Sequence, residues 1–306
     1  MCDCDNTLVS SQNFPTVVEQ SPTGRSFVYS NTDGEMSEVV DVDLNEEVWF
    51  YVVRDNTEQE DMKELVVTDT HVWYLGIGGI MRIPIAYIDA NPGTTFDTYD
   101  HTYTFHIDES DVVFGAIDDF DVAGGYCFWI KDRILYRMGV DDFGGAPEEI
   151  YDFSADFSAE LPFNQNPLRV SADADRVWVS IAGEADPTLF LHGLGGARSS
   201  SIQLTSAEGA LLTDMTVERD TGILVVVARS SEPASGDPVS TETLLARRPL
   251  RVWPSGRVCQ VSVSTPVAVD GVSGVDVDLN TDASYPKTIG HGATKGFVVV
   301  LDDDNT

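Results

Sequence analysis

The sequence is short of lysine, histidine and cysteine, and it holds no long apolar run. Of 306 residues, four are lysine (Lys63, Lys131, Lys287, Lys295) and five are histidine. Four cysteines in a chain this long do not make a disulfide framework. Cys127 and Cys259 lie in apolar, strand-like runs, where small buried thiols are common. Cys2 and Cys4 form a C-x-C pair in a tail, and two thiolates do not close a zinc site. No segment approaches the roughly 20 apolar residues of a membrane helix, so no membrane span is expected. The first residues, MCDCDNTLVSSQNFP, lack the basic and then apolar segments of a secretory signal, which predicts folding in a cytoplasm.

Motifs that carry chemistry are scarce as well. There is no G-x-S-x-G nucleophile elbow, and Gly271-Val272-Ser273-Gly274 has the wrong spacing for one. Gly76-Ile77-Gly78-Gly79 lacks the third glycine of a dinucleotide fingerprint and opens no helix. Neither Cys127 nor Cys259 has the cationic neighbours that activate a thiol. A glycosidase would use two paired carboxylates, but among 51 acidic residues no one pair stands out. The expectation is a protein that is not an enzyme and needs no cofactor.

What the chain has in excess is acid. Asp and Glu total 51 against 18 Lys and Arg, a net charge of −33, and the carboxylates run from Asp3 to Asp304. In dilute buffer such a charge repels itself and destabilises the compact state. In molar salt the Debye length shrinks to about 3 Å, and most of that repulsion disappears. With so little lysine, the pattern resembles proteins of extreme halophiles. It also disfavours direct contact with nucleic-acid phosphates.

The apolar residues are arranged for strands. Short runs rich in Val, Ile, Trp and Tyr alternate with Gly, Pro, Asp and Ser clusters, and sustained helical periodicity is rare. The segment Thr57 to Leu65 is the best helical candidate. One pattern recurs: an apolar residue, a polar turn, then a run of large apolar residues. It is centred on Phe27, Trp73, Trp129, Trp178, Leu224 and Asp276. In the third copy, DDFDVAGG reads as the turn. A second apolar run follows in most units, as at Val48 to Val53 and Ile134 to Met138.

Units of roughly fifty residues, each a small hairpin-rich sheet, resemble β-propeller repeat proteins. The physical reason is burial: a four-stranded blade cannot cover both its faces, and neighbouring blades do so. The resemblance implies an all-β propeller of about six blades, with the central Trp and Phe residues packed between blades. A flexible tail at 1–15 would precede a single repeat domain at 16–306. The competing architecture is two β-sandwich domains, split near residues 140–165.

Several residues are candidates for a site. The hexapeptide VDVDLN occurs at 40–45 and 275–280 and matches the first carboxylates of an EF-hand. Glu46 and Thr281 stand where that loop needs Gly, and Val52 and Lys287 where it needs Glu. Its strict alternation reads as a strand with one wet face. Looser calcium sites are conceivable at Asp173/Asp175, Asp118/Asp119/Asp121 and Asp41/Asp43, against a default of solvated surface carboxylates. His106 and Asp108 would share a strand face, opposite His101. His192 and His291 have glycine neighbours and read as turn residues. Arg247, Arg248 and Arg251 cluster beside Trp253, the composition of an interface hot spot. The alternative is that these arginines pair with carboxylates of the same molecule.

A rigid repeated scaffold without a catalytic set suits a surface for presentation. The expectation is a structural or host-attachment component of a virion infecting a halophile, located in the particle after assembly in the host cytoplasm. Its partners would be other virion proteins in a multi-copy assembly, and a host-surface glycan or protein. The alternatives are a cytoplasmic or surface propeller-fold enzyme of the glycosidase or lactonase type and a cellular protein-interaction propeller, with the cytoplasm as the alternative location.

Overall fold

The computed structural model describes residues 17–30, 35–41, 46–54, 58–59, 64–76, 79–92, 95–97, 105–106, 117–141, 146–156, 168–181, 188–195, 197–203, 211–229, 250–260, 285–291 and 297–302. They form six sheets, each begun by a meander of antiparallel neighbours. The first sheet holds β1 (Val17–Gln20), β2 (Ser26–Ser30), β3 (Glu35–Asp41), β4 (Glu46–Arg54) and β5 (Glu58–Gln59). The second holds β6 (Glu64–Val67), β7 (His71–Gly76) and β8 (Gly79–Pro84), followed by helix α1 (Ile85–Ala90). Strand β9 (Thr95–Asp97) returns to pair in parallel with β4, and β10 (Phe105–His106) closes the second sheet against β8.

The next three sheets are regular four-strand meanders. They are β11 (Ile117–Ala123), β12 (Tyr126–Lys131), β13 (Ile134–Gly139) and β14 (Glu148–Asp152); β15 (Leu168–Ala172), β16 (Arg176–Ile181), β17 (Thr188–Gly193) and β18 (Arg198–Gln203); then β19 (Leu211–Val217), β20 (Leu224–Arg229), β21 (Leu250–Val252) and β22 (Val258–Gln260). The sixth holds β23 (Tyr285–His291) and β24 (Phe297–Asp302). The first strands of the sheets touch one another in cyclic order, β1 to β6, β11, β15, β19, β23 and back to β1. The fold is a β-propeller.

The second strands explain the packing. Alternate residues of a strand point to opposite faces of its sheet, and here both faces meet another sheet. Val72 and Tyr74 of β7 pack with Phe27 of the first sheet. Trp73 and Leu75, one residue along, pack with Phe120, Cys127 and Trp129 of the third. Phe128 and Ile130 turn the other way, to Val170, Val177 and Val179 of the fourth. Trp178 then faces Met215, Leu224 and Val226 of the fifth. The central residues Phe27, Trp73, Trp129, Trp178 and Leu224 are at most 1% exposed. This is why β12 is a continuous apolar run and not an alternating one.

Several sequence expectations change. The sandwich split near 140–165 does not exist as a boundary, because one core joins Phe128, Leu135 and Phe153 to Leu168 and Val170 across it. Thr57 to Leu65 is not helical where it is described: it contributes β5 and the start of β6. The acidic stretch at 118–121 is not a turn. Strand β11 continues through it, and the turn is Gly124-Gly125 alone, both in the left-handed region (φ 57° and 80°) that favours glycine. Val40 and Asp41 of the first VDVDLN copy end β3, whereas the second copy and the marker Asp276 lie outside the described residues, as does the tail at 1–15.

Candidate functional site

The inner strands carry polar residues at alternating positions, and these meet on the propeller axis. Glu19 comes from β1, Glu64 from β6, Asp119 and Asp121 from β11, Arg169 and Ser171 from β15, Asp214 and Thr216 from β19, and His291 from the end of β23. Glu19, Asp119, Asp121, Ser171, Thr216 and His291 are at most 3% exposed. A carboxylate default of solvated surface is therefore wrong for Asp119 and Asp121. The turn assignment of His192 and His291 is also wrong. His192 lies within β17 against Tyr151 and Phe153, and His291 is the last residue of β23.

His291 is the hub. Its backbone N–H donates to Glu19 Oε1 at 2.6 Å. Its Nε2 lies 3.0 and 3.1 Å from the two carboxylate oxygens of Asp121. Its Nδ1 lies 3.1 Å from the Val217 carbonyl oxygen and 3.1 Å from Thr216 Oγ1. A carbonyl and an ionised carboxylate only accept hydrogen bonds. With Nε2 facing the Asp121 carboxylate and Nδ1 facing the Val217 carbonyl, an imidazolium donating from both nitrogens satisfies the arrangement. Burial is the largest influence and opposes that charge, but the charge and hydrogen bond of Asp121 together with nearby Glu19 raise the His291 pKa above its ordinary value. Burial likewise works against ionised Asp121, yet His291 and the hydrogen bonds onto the carboxylate hold its pKa below the usual range.

Asp121 also joins sheets. Its Oδ2 accepts from the Ala172 N–H at 2.7 Å and from Ser171 Oγ at 3.0 Å, while Ser171 Oγ accepts from the Val217 N–H at 2.9 Å. Asp119 Oδ2 accepts from the Val170 N–H at 2.8 Å. Thus carboxylates of one inner strand satisfy backbone donors of the next, a substitute for the ladder hydrogen bonds that separate sheets cannot share.

Three further carboxyls have pKa values raised above the ordinary range. Burial pushes Glu19 up to about 8, with the nearby charges of His291 and Arg219 opposing. Burial raises Asp119 to about 7 against the pull of Arg169. Glu64 is raised well above its ordinary value by burial and by the neighbouring Asp119 and Asp214. Arg219 reaches across this end of the axis, donating to the Gln20 carbonyl at 2.7 Å and the Val67 carbonyl at 2.8 Å. The space left among these groups is about 20 Å³, room for about one water.

The candidate metal sites resolve differently. Among the described residues, no group of three or more His, Cys, Asp or Glu side chains converges to hold a metal ion. Asp173 Oδ1 accepts from the N–H groups of Asp175 (2.7 Å) and Arg176 (2.8 Å), which makes it a turn former. Asp43, His101 and Asp108 lie outside the described residues. Cys127 is buried, and burial pushes its thiol far above the range of a reactive cysteine.

Of the arginine cluster, Arg247 and Arg248 lie outside the described residues. Arg251, on β21, is buried in an ion pair with buried Glu218. Trp253 is half-buried on the following turn, with the Arg257 guanidinium 4.8 Å from its ring centroid. The axis, not this cluster, is where the structure gathers polar side chains. The signal that could have found it was polar residues recurring two apart in the first run of successive units, as in Asp119/Asp121, Arg169/Ser171 and Asp214/Thr216.

No family model matches the chain, and no curated protein matches it. Among solved structures, it is similar to a streptogramin B lyase at 12% identity and a TM-score of 0.53, covering 98% of this chain and 83% of that one. It also aligns with the WD40 domain of Neurospora crassa Pan2 at 10% identity and a TM-score of 0.48, covering 91% of this chain and 69% of that one. At these identities the likeness concerns the fold alone. The class is a β-propeller repeat protein, without assignment to a particular propeller family.

Proposed function

We propose that this protein is a non-enzymatic presentation scaffold, a structural or host-attachment component of a virion that infects a halophile. It acts through protein or glycan contacts within a multi-copy assembly. The observation that supports this reading is the state of the axis. Its polar side chains are engaged with one another and with backbone of neighbouring sheets, leaving about 20 Å³. Such an axis acts as a structural pin, and binding falls to the rims. The net charge of −33 suits a molar-salt medium, where screening removes most self-repulsion.

A second reading, a propeller enzyme of glycosidase or lactonase type, draws on the buried carboxyls. Glu19 and Asp119 titrate near neutral pH, as proton-transfer groups in enzymes do. The deciding experiment is fractionation of lysed host culture on a density gradient in molar salt, with the chain followed by mass spectrometry. Recovery in a dense multi-copy particle is expected. A lone monomer in the soluble fraction that hydrolyses a glycoside or lactone panel overturns the scaffold reading in favour of the second.

A further inference from the structure

The turns between the first and second strands of successive sheets surround a cavity of about 410 Å³, inside the roughly 300–1,000 Å³ range of small-molecule sites. Five sheets contribute to it, through Pro22, the Asp69–His71 turn, Gly124-Gly125, Asp173 and Arg219. It shares Arg219 with the hydrogen-bonded axis and lies apart from the arginine cluster of the sequence.

Its chemistry is uneven. A chain with 18 cationic residues against 51 acidic ones places two of its arginines on this one wall. Both are fixed in position. Arg82 lies 5.0 Å from the Trp73 ring centroid and donates to the Val140 carbonyl at 2.8 Å. Arg219 is braced on Gln20 and Val67 of two further sheets. Between them His71, its Nδ1 2.9 Å from Thr70 Oγ1, is pushed down to about 4 by burial and by Arg82. At neutral pH it is a neutral hydrogen-bonding ring. The exposed rim carries the carboxylates of Asp69 and Asp141. At Gly125 a Cβ would meet nothing within 4 Å, so the mouth is open there.

Asp173, the buried carboxylate of the lining, is taken up by Arg176 and by two backbone N–H groups. Two guanidinium groups and the exposed carboxylates of Asp69 and Asp141 are therefore left to select a ligand. A carboxylate suits the planar fork of an arginine. Hydroxyl groups suit the rim, which only accepts hydrogen bonds. Phosphate offers oxygens to the guanidinium groups but no hydroxylated ring for the rim carboxylates to hold. We infer that this cavity binds a uronate-type sugar, a hydroxylated ring bearing one carboxylate, with Arg82 receiving the carboxylate and Asp69 and Asp141 receiving hydroxyls. The biological role of such a site rests on the host-attachment reading, in which a surface glycan is a partner. The binding itself does not.

The test is calorimetric titration of the purified protein in molar KCl with glucuronate, glucose and inorganic phosphate. Saturable glucuronate binding is expected, with a Kd on the order of 1 mM. Glucose and phosphate should each bind at least about tenfold more weakly, since each lacks half of the recognised chemistry. Arg82→Gln should weaken glucuronate binding about tenfold through loss of a charge-assisted bond. Because Arg82 also braces Val140, a second variant, Thr70→Trp, fills the mouth from an exposed turn and should abolish binding. Absence of saturable glucuronate binding overturns the proposal, as does phosphate binding of equal strength or unchanged affinity in Thr70→Trp. Glucuronate binding by a chain that never enters particles sinks the host-attachment reading and leaves the site standing. A particle protein that ignores glucuronate does the reverse.

Discussion

Carboxylates on the outside of this propeller and carboxylates on its axis are the same chemical groups under opposite physics. Asp89, Asp132, Glu148, Glu149, Asp175 and Asp220 stand exposed in water. Glu19, Asp119, Asp121 and Asp214 are buried around His291 and Arg169. Outside, a carboxylate keeps its hydration, its partners are screened, and its main effect is collective repulsion. Inside, it loses hydration, so each must either win a partner, as Asp121 does, or hold its proton, as Glu19 does. Salt should therefore govern the first population and pH the second.

The largest expected effect breaks the outer population as a whole. Dialysis from molar salt to about 0.1 M restores long-range repulsion among the surface charges. We expect cooperative unfolding, followed by circular dichroism. A protein that keeps its spectrum and melting temperature in dilute buffer is not salt-adapted, and the contrast drawn above fails.

Next comes a single inner group. Asp121→Ala removes the acceptor shared by His291, Ser171 and the Ala172 N–H, leaving an imidazolium buried without its partner. The expected cost is about 3–5 kcal/mol, read by denaturant unfolding in molar salt. A loss below about 1 kcal/mol, the level of a surface pair, means that the axis is not a structural pin.

Third is the pH response. The Glu19 pKa rises from its ordinary 4.5 to about 8 in the folded state. Between those values the folded chain holds a proton that the unfolded chain has lost, so stability falls as pH rises through this window. Asp119, raised from 3.8 to about 7, acts with the same sign. His291, raised above 6.5, adds stability that is full below 6.5 and lost as pH rises through its folded value. Asp121 is depressed, so its contribution is lost only on strong acidification. At fixed molar salt the melting temperature should fall from about pH 5 to about pH 8, and Glu19→Gln should flatten the slope. An equally steep slope in Glu19→Gln removes Glu19 from this account.

The smallest effect is the outer control. Arg25 and Asp89 pair at 2.6 Å across exposed side chains. Asp89→Asn should change stability by no more than about 0.5 kcal/mol in molar salt. A larger loss would erase the distinction between the two populations.

The sequence alone determined the strand-rich class, the spacing of units and the residues between sheets. Phe27, Trp73, Trp129, Trp178 and Leu224 were legible because burial on both faces demands large apolar residues in every second strand, a local and repeated requirement. The charge of −33 was legible too, since it needs only counting. Only the tertiary structure decided which carboxylates face water. Asp119 and Asp121 read like a turn because Asp is at home in turns. His291 read like a turn because of its glycine neighbours. Ring closure brings Glu19 and His291, 272 residues apart, to 2.6 Å. No periodicity within one strand encodes that meeting, because the partners that make a buried charge tolerable come from other sheets.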